Sequence, residues 1–140
     1  MAFNVDKCSV IHFGFNNNGF DLTLGGRLLE VHESERDLGV MVQCNLKVDK
    51  QCCKAANDAN RKLGMIKRGL KNKSKEIMLP LYKSMVRPHL DYCIQAWKQH
   101  LRKDVDKLEK VQRRATKMIE GLEGLGCLER LRILNLNKIS

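Results

Sequence analysis

At Asp49 the spacing of apolar residues in this 140-residue chain changes, and this change constrains the fold more than any other feature. Before it, short apolar or alternating runs are separated by glycine and asparagine turns, as is typical of strands. After it, apolar residues recur every three or four positions, as is typical of amphipathic helices. The sequence therefore predicts an α+β chain, in which a small antiparallel sheet of about four short strands precedes a three-helix bundle.

The predicted strands are short, and each ends at residues that favour turns. Gly25 and Gly26 can both supply the positive φ that a two-residue hairpin requires. A sheet of this size is not stable alone and must pack on something else. The predicted strands cover residues 8–13, 20–24, 27–31 and 38–42.

The predicted helices begin with one over about residues 50–70, for which Asp49 is a plausible N-cap. A second helix runs from Ser74 towards Trp97, and Pro80 and Pro88 predict kinks or two abutting segments within it. A third spans about residues 102–121, and a short helix with Leu128 among its apolar residues follows three glycines. The predicted domains are a β region over 1–49, a helical bundle over 50–122, and a short C-terminal helix or tail over 123–140.

Positive charge is concentrated in the helical part. Residues 1–49 carry a net charge of −3, whereas residues 50–120 carry a net charge of +12. The net charge of the whole chain is +10. Charge confined to one region indicates a polyanionic partner, and nucleic acid before any small molecule. The alternative is a solvated helix face, which is the commoner role of an isolated lysine-rich run. The candidate nucleic-acid-binding residues are Arg61, Lys62, Lys67, Arg68, Lys71, Lys73, Lys75, Lys103, Lys107, Lys110, Arg113, Arg114 and Lys117.

Five of these cations follow helical spacing in the third predicted helix, and we call them the cationic stripe. By helix geometry they share one face, about 110° around the cylinder from an apolar stripe that includes Leu108 and Val111. Such a helix has one side for a core and a neighbouring side for something negative. The cationic stripe consists of Lys103, Lys107, Lys110, Arg114 and Lys117.

The chain shows little sign of other chemistry. It has no run of ~20 apolar residues that could span a bilayer and no secretory signal, so its six cysteines are expected to be reduced in the cytoplasm or nucleus. No C-x-x-C pair or zinc-finger spacing is present, and of the adjacent Cys52 and Cys53 at least one should be buried. Asp104 and Asp106 would point apart on a helix, so no metal site is predicted.

Aromatic and histidine side chains are the remaining candidates for function. Tyr82, His89, Tyr92 and Trp97 lie near helical spacing and could stack on bases, although aromatic residues on an amphipathic helix more often belong to the core. The two histidines in the strand region, His12 and His32, fall in predicted strands without obvious partners. No phosphate loop, metalloprotease motif or nucleophile elbow is present in the sequence.

Four segments resemble reverse transcriptases of non-LTR (LINE, jockey-type) retrotransposons, and they occur in the order of that family. They are NVDK at 4–7 with the run that follows it to 13, ERDLGV at 35–40, LYKSMVRPHLDY at 81–92 and LEKVQRRATK at 108–117. The resemblance covers nearly the whole chain, from Phe3 to about Leu136. It implies the C-terminal remnant of a polymerase palm, followed by a thumb that grips the template–primer duplex.

The resemblance also implies specific roles. Lys7 would match the lysine of the last palm motif, which assists departure of pyrophosphate. The two aspartate motifs that hold the catalytic Mg²⁺ ions precede Phe3 in the family, and the family usually continues past Leu136. We therefore expect a fragment truncated at both ends, without a cofactor or catalytic activity of its own. Its expected partners are an RNA/DNA template–primer duplex or another nucleic acid, and the missing palm, but not a membrane.

Two other interpretations remain open. The chain could be an independent basic helical module that binds RNA or DNA, or an inert pseudogene product. A palm fragment should expose an apolar patch where the rest of the palm would pack, whereas an independent module should not.

Overall fold

The computed structural model of the chain describes residues 3–96 and 102–139, with residues 93–96 as backbone only. It divides into two compact units, the first ending at Val48 and the second beginning at Asp49. Strands belong to the first unit and α-helices to the second, so the predicted mixture of strands followed by helices is confirmed. The C-terminal segment after residue 122 belongs to the second unit.

In the first unit, six short strands of the described residues form three separate pairs, where a single antiparallel sheet was predicted. Two pairs are antiparallel hairpins, but the third joins two strands in parallel across about twenty residues of chain. The pairs are β1 (Ser9–Val10) with β4 (Glu30–Val31), β2 (Thr23–Leu24) with β3 (Arg27–Leu28), and β5 (Ser34–Asp37) with β6 (Val40–Gln43).

The turns explain where the strand predictions held and where they were wrong. Gly25 and Gly26 have φ of 59° and 79°, so the predicted hairpin between β2 and β3 is confirmed. A second hairpin turns at Leu38 and Gly39, with φ of 45° and 86°. The apolar run from Leu38 predicts a strand, but the observed strand begins two residues later, because Leu38 adopts the positive φ that a bulky residue seldom has.

The second unit consists of helices that follow the predicted order. The region 75–96 is helical throughout but is interrupted by a π-helical turn, and Trp97 lies outside the described residues. The third predicted helix ends at Lys117, earlier than expected. The helices are α1 (Asp49–Gly69), α2 (Lys75–Leu81), the π-helical turn Tyr82–Val86, α3 (Arg87–Ala96), α4 (Arg102–Lys117) and α5 (Cys127–Ile133).

The π-helical turn lies between the two prolines, in the region where the sequence predicts kinks or two abutting segments. Pro80 is inside α2 and Pro88 is the second residue of α3. Because Pro88 has no N–H group, it cannot donate to the carbonyl four residues earlier. The chain instead widens to a five-residue step, in which the Arg87 N–H donates to the Tyr82 carbonyl.

A buried polar centre joins the helices of the second unit. The Tyr82 hydroxyl and the Arg87 guanidinium both donate to Gln112 Oε1, each over 2.8 Å. The Gln112 amide in turn donates to the Asn137 carbonyl over 3.1 Å, and Arg87 also binds Asp91. These bonds pair the buried polar groups of three helical segments, which removes the cost of burying them unpaired. Tyr82 is therefore a core residue, the more common of the two roles considered for the aromatic side chains.

The apolar core of this unit lies between α1, the π-helical turn with α3, and α4. Leu63, Leu90, Leu108 and Val111 are among its buried side chains. The predicted apolar stripe of α4 is thus the side that faces the core. Among the helices of the described residues, none is both long and apolar enough to cross a bilayer.

Candidate nucleic-acid interface

Helices α1 and α4 lie side by side and run in the same direction. Lys107 Nζ donates to Cys53 Sγ over 3.3 Å, and Arg114 Nη1 donates to Asn60 Oδ1 over 2.7 Å. Both pairs are separated by the same 54 positions in sequence, so the two helices advance together. This parallel alignment arises because α1 and α4 are the first and third members of an up-down-up arrangement.

The contact between these helices leaves an open groove of about 270 Å³, which we call the α1–α4 groove. Small side chains at its base, Ala56 and Val111, keep the helices close. No acidic residue is among those that line it, so its lining charge is purely positive. The α1–α4 groove is lined by Cys53, Ala56, Asn57, Asn60, Lys107, Lys110, Val111 and Arg114.

Lys107 is held in place by a buried carboxylate. Asp104, only 1% exposed, accepts a hydrogen bond from Lys107 Nζ over 3.0 Å. This bond, helped by the contact with Cys53, raises the pKa of Lys107 to about 12. Lys107 therefore stays positively charged at neutral pH, but the carboxylate of Asp104 offsets part of this charge. Asp106 is exposed, so the two aspartates separate as predicted.

The other members of the cationic stripe are more available. Lys103, Lys110 and Lys117 are exposed, and within the described ranges no hydrogen bond or ion pair engages their ammonium groups. Arg114 is exposed as well, and its bond to Asn60 uses one of its five donors. By helix geometry the five side chains fall within an arc of about 80°, on the side of α4 next to its buried residues.

The structure does not bring the cluster at 61–75 to one surface. Lys67 lies on nearly the same face of α1 as Asn60, since a step of seven residues returns to within about 20° of the same direction. Arg61 and Arg68 are exposed about 100° and 80° around α1 from Asn60, on the far side of Asn57, and Lys62 lies about 160° from Asn60.

Some candidate cations in and just after the loop that follows α1 make hydrogen bonds that hold the helices together. Lys73 exchanges hydrogen bonds with Glu120, just beyond the end of α4. Just after the loop, Lys75 at the start of α2 donates through Nζ to the Ile133 carbonyl at the end of α5, over 3.0 Å. Such a lysine satisfies a carbonyl that the helix leaves free. Of this loop's candidate cations, the exposed Lys71 has the fewest structural ties.

Arg113 is separate from the cationic stripe. It pairs with Glu109 over 3.2 Å and lines a different cavity, on the α5 side of α4, together with Leu128 and Leu131. In the sequence Arg113 is next to Arg114 and was counted with the same cluster of positive charge. Consecutive residues of a helix, however, point about 100° apart.

In the first unit, Lys7 is the exposed last residue of a 3-10 helix, Val5–Lys7. Asn4 caps this turn by accepting from the Asp6 N–H over 3.2 Å. Asp6 also forms an ion pair with Arg27. The geometry around Lys7 is thus that of a capped turn.

His32 is not the unpartnered residue that the sequence suggested. Its Nδ1 lies 2.7 Å from Glu35 Oε2, and its Nε2 lies 3.4 Å from Glu30. The hydrogen bond with Glu35 is the main cause of a raised pKa for His32 and a lowered pKa for Glu35. Ser9 also donates to Glu35 over 3.4 Å, so this cluster links β1, β4 and β5. His32 and His12 also lie outside the strands.

Sequence reasoning missed the α1 side of the α1–α4 groove. Cys53, Asn57 and Asn60 are spaced by four and three, like the cationic stripe, but neutral residues gave no charge signal.

Cys52 is buried and Cys53 exposed, in agreement with the expectation that at least one would be buried. Tyr92 is exposed and His89 half-buried. Within the described residues, no group of three histidine, cysteine or acidic side chains could hold a metal ion.

Comparisons with known proteins give no relative for this arrangement. No family model matches the chain, and no curated protein or solved structure matches it either.

Proposed function

We propose that the second unit binds nucleic acid through the α1–α4 groove and the cationic stripe beside it. The observation that carries the proposal is the groove lined by three cations and no carboxylate, with Lys103 and Lys117 on the same face of α4. A row of cations along one helix can follow a row of phosphates, and release of counterions then drives binding. Such contacts fix position but carry no sequence information.

Within this proposal, the chain corresponds to the thumb and part of the palm of a non-LTR reverse transcriptase. The exposed apolar side chains of the first unit support this assignment over an independent module. Phe15 and Leu38 are each 89% exposed, and Phe3 and Phe20 are exposed as well. Apolar residues in such number are expected where a further domain packs.

The proposal assigns binding, not catalysis, to this chain. No two aspartates are adjacent in its sequence, and nucleotidyl transfer of this kind needs carboxylates that hold two metal ions. Lys7 would then act only in a site completed by other segments. Mg²⁺-dependent incorporation of nucleotides by the purified chain, above a mock preparation, would contradict this part of the proposal.

The test of binding uses the exposed, unpaired cations of the cationic stripe. Lys107 and Arg114 are avoided, because one neutralises Asp104 and the other binds Asn60. The variant Lys103→Gln/Lys110→Gln/Lys117→Gln should fold normally. Wild-type binding to a blunt duplex should weaken with salt at a logarithmic slope of about −4 to −5 if five phosphates are neutralised, and the variant's slope should be shallower by up to about 3.

A matched control removes the same charge elsewhere. Lys83, Arg132 and Lys138 are exposed and do not line the α1–α4 groove. The variant Lys83→Gln/Arg132→Gln/Lys138→Gln should keep most of the wild-type slope. If both variants lose the same amount, or neither loses any, the cationic stripe is a solvated face and the proposal is wrong.

A further inference from the structure

The α1–α4 groove contains features that phosphate binding does not need. Its base is apolar, formed by Ala56 and Val111, and one wall carries the two amides of Asn57 and Asn60. A surface that only followed a phosphate backbone would present cations on an open face. A small apolar base with amides above it suits a planar group that has hydrogen-bonding edges.

Size limits what can enter. A volume of about 270 Å³ is just below the range of ~300–1,000 Å³ that is usual for pockets of drug-sized ligands. A duplex, whose bases are stacked inside two backbones, can only lie across such an opening. A single unpaired base can enter it.

The polar groups of the groove are partly oriented and partly free. Arg114 Nη1 donates to Asn60 Oδ1, which fixes the guanidinium and leaves both amide hydrogens of Asn60 available. Asn57 is exposed, and among the described residues its amide has no hydrogen-bond partner. Together the two amides offer donors and an acceptor, the groups that recognise the edge of a base, while a held guanidinium plane can stack on its face.

We propose that the α1–α4 groove binds one unpaired nucleobase of a nucleic-acid strand, with the adjoining phosphates on Lys107 and Lys110. This inference rests on the proposed function, since it makes the groove a base-binding point within the cationic surface. The base packs against Ala56 and Val111, its edge meets Asn57 and Asn60, and Arg114 covers one face. The substrate class is therefore single-stranded nucleic acid or a duplex with an unpaired nucleotide.

The test compares strands of equal charge. The full chain is titrated with a twelve-residue oligothymidylate and with an abasic strand of the same length, in the same salt. The strand with bases should bind at least about fivefold tighter, which is the lower limit for stacking of one base. Asn57→Leu, which removes the amide without changing charge or side-chain shape, should reduce this preference, and Ala56→Leu, which adds bulk at the base of the groove, should remove it. Asn57→Gln, which keeps an amide, and Asn18→Leu, which changes an exposed amide in the first unit, should retain it.

Each outcome separates the inference from the proposed function. Equal affinity for the two strands with a steep salt dependence would overturn base binding and leave phosphate binding intact. Absence of binding to either strand and to a duplex would overturn both. A preference that persists in Asn57→Leu and in Ala56→Leu would place the base elsewhere and contradict the inference. Thymidine monophosphate binding as tightly as the strand would also contradict it, because the occupant would then be a free nucleotide.

Discussion

The two units of this chain differ in what happens to their apolar side chains. Among the described residues, every buried apolar side chain except Val48 belongs to the second unit. The first unit instead exposes Phe3, Phe15, Phe20 and Leu38 by 70% or more. Its strands are two to four residues long, whereas α1 has 21 residues. Hydrophobic burial is the main source of stability, so the second unit should hold most of the folding free energy.

The charge divides in the same way. The first 49 residues are net acidic and the helical residues strongly basic, so the part with a core is also the part with the candidate interface. This coincidence has a physical reason. A row of cations positions phosphates only if the backbone beneath it is rigid, and a packed helix pair supplies that rigidity. The following predictions test the contrast between the units.

The largest expected effect is in hydrogen exchange. Amides of residues 108–118, in and just after α4, should exchange slower by several orders of magnitude than those of residues 8–13. Amides in a cored helix exchange through extensive unfolding, whereas two-residue strands open locally at little cost. Exchange followed by mass spectrometry of peptides measures both segments in one experiment. If residues 8–13 prove the slower, the core has been placed in the wrong unit.

A matched pair of leucine truncations tests the same contrast by mutation. Leu108 is fully buried in α4, and Leu108→Ala should lower the free energy of unfolding by about 2–5 kcal/mol. Leu28 in β3 is 63% exposed, and Leu28→Ala should change it by less than about 0.5 kcal/mol. Urea denaturation monitored by circular dichroism gives both values. Similar losses would mean that the first unit contributes a core after all.

Two lysines of the cationic stripe should respond differently to neutralisation. Lys107→Gln leaves the buried Asp104 carboxylate without its cation and should cost about 1–3 kcal/mol of stability. The lower part of that range is favoured because Lys107 is 37% exposed and water can replace part of its interaction. Lys110→Gln removes an exposed, unpaired charge and should be nearly neutral. A neutral Lys107→Gln would show that Asp104 is satisfied by other groups.

The smallest effect concerns the buried hydroxyl of Tyr82. Burial raises the pKa of Tyr82 to about 12, against the opposing influence of Arg87. A raised pKa means that the folded state holds its proton more tightly than the unfolded state does. This contribution to stability is complete below pH 10 and is lost as the pH rises from about 10 to 12.

Absorbance at 295 nm measures this ionisation directly. The chain has two tyrosines, so Tyr92→Phe leaves Tyr82 as the only reporter. Its midpoint should lie near 12, and addition of urea should lower it toward the ordinary value of 10. Tyr82→Phe should cost about 0.5–1.5 kcal/mol at neutral pH, since Gln112 Oε1 keeps its bond from Arg87. A midpoint near 10 in the folded Tyr92→Phe chain would contradict the burial of the Tyr82 hydroxyl.

The sequence by itself determined the local features. The spacing of Leu108, Val111 and Ala115 fixed which side of α4 is buried, because a helix repeats every 3.6 residues whatever surrounds it. The paired glycines at 25–26 determined a hairpin turn, and Pro80 with Pro88 indicated an irregularity in the second helix, where the π-helical turn lies. Each of these depends on residues within one or two turns of backbone. The cationic stripe also lies on one face of α4 for this reason.

Only the tertiary structure decided which distant segments meet. Nothing local indicates that α1 runs parallel to α4, so the sequence could not place Asn57 and Asn60 opposite Arg114, or Lys107 against Cys53. The same holds for Gln112, which reads as a surface residue until Tyr82 and Arg87 meet it in the core. Such pairings depend on packing between residues more than twenty positions apart, where side-chain volume and hydrogen-bond satisfaction across helices, not periodicity along one helix, select the arrangement.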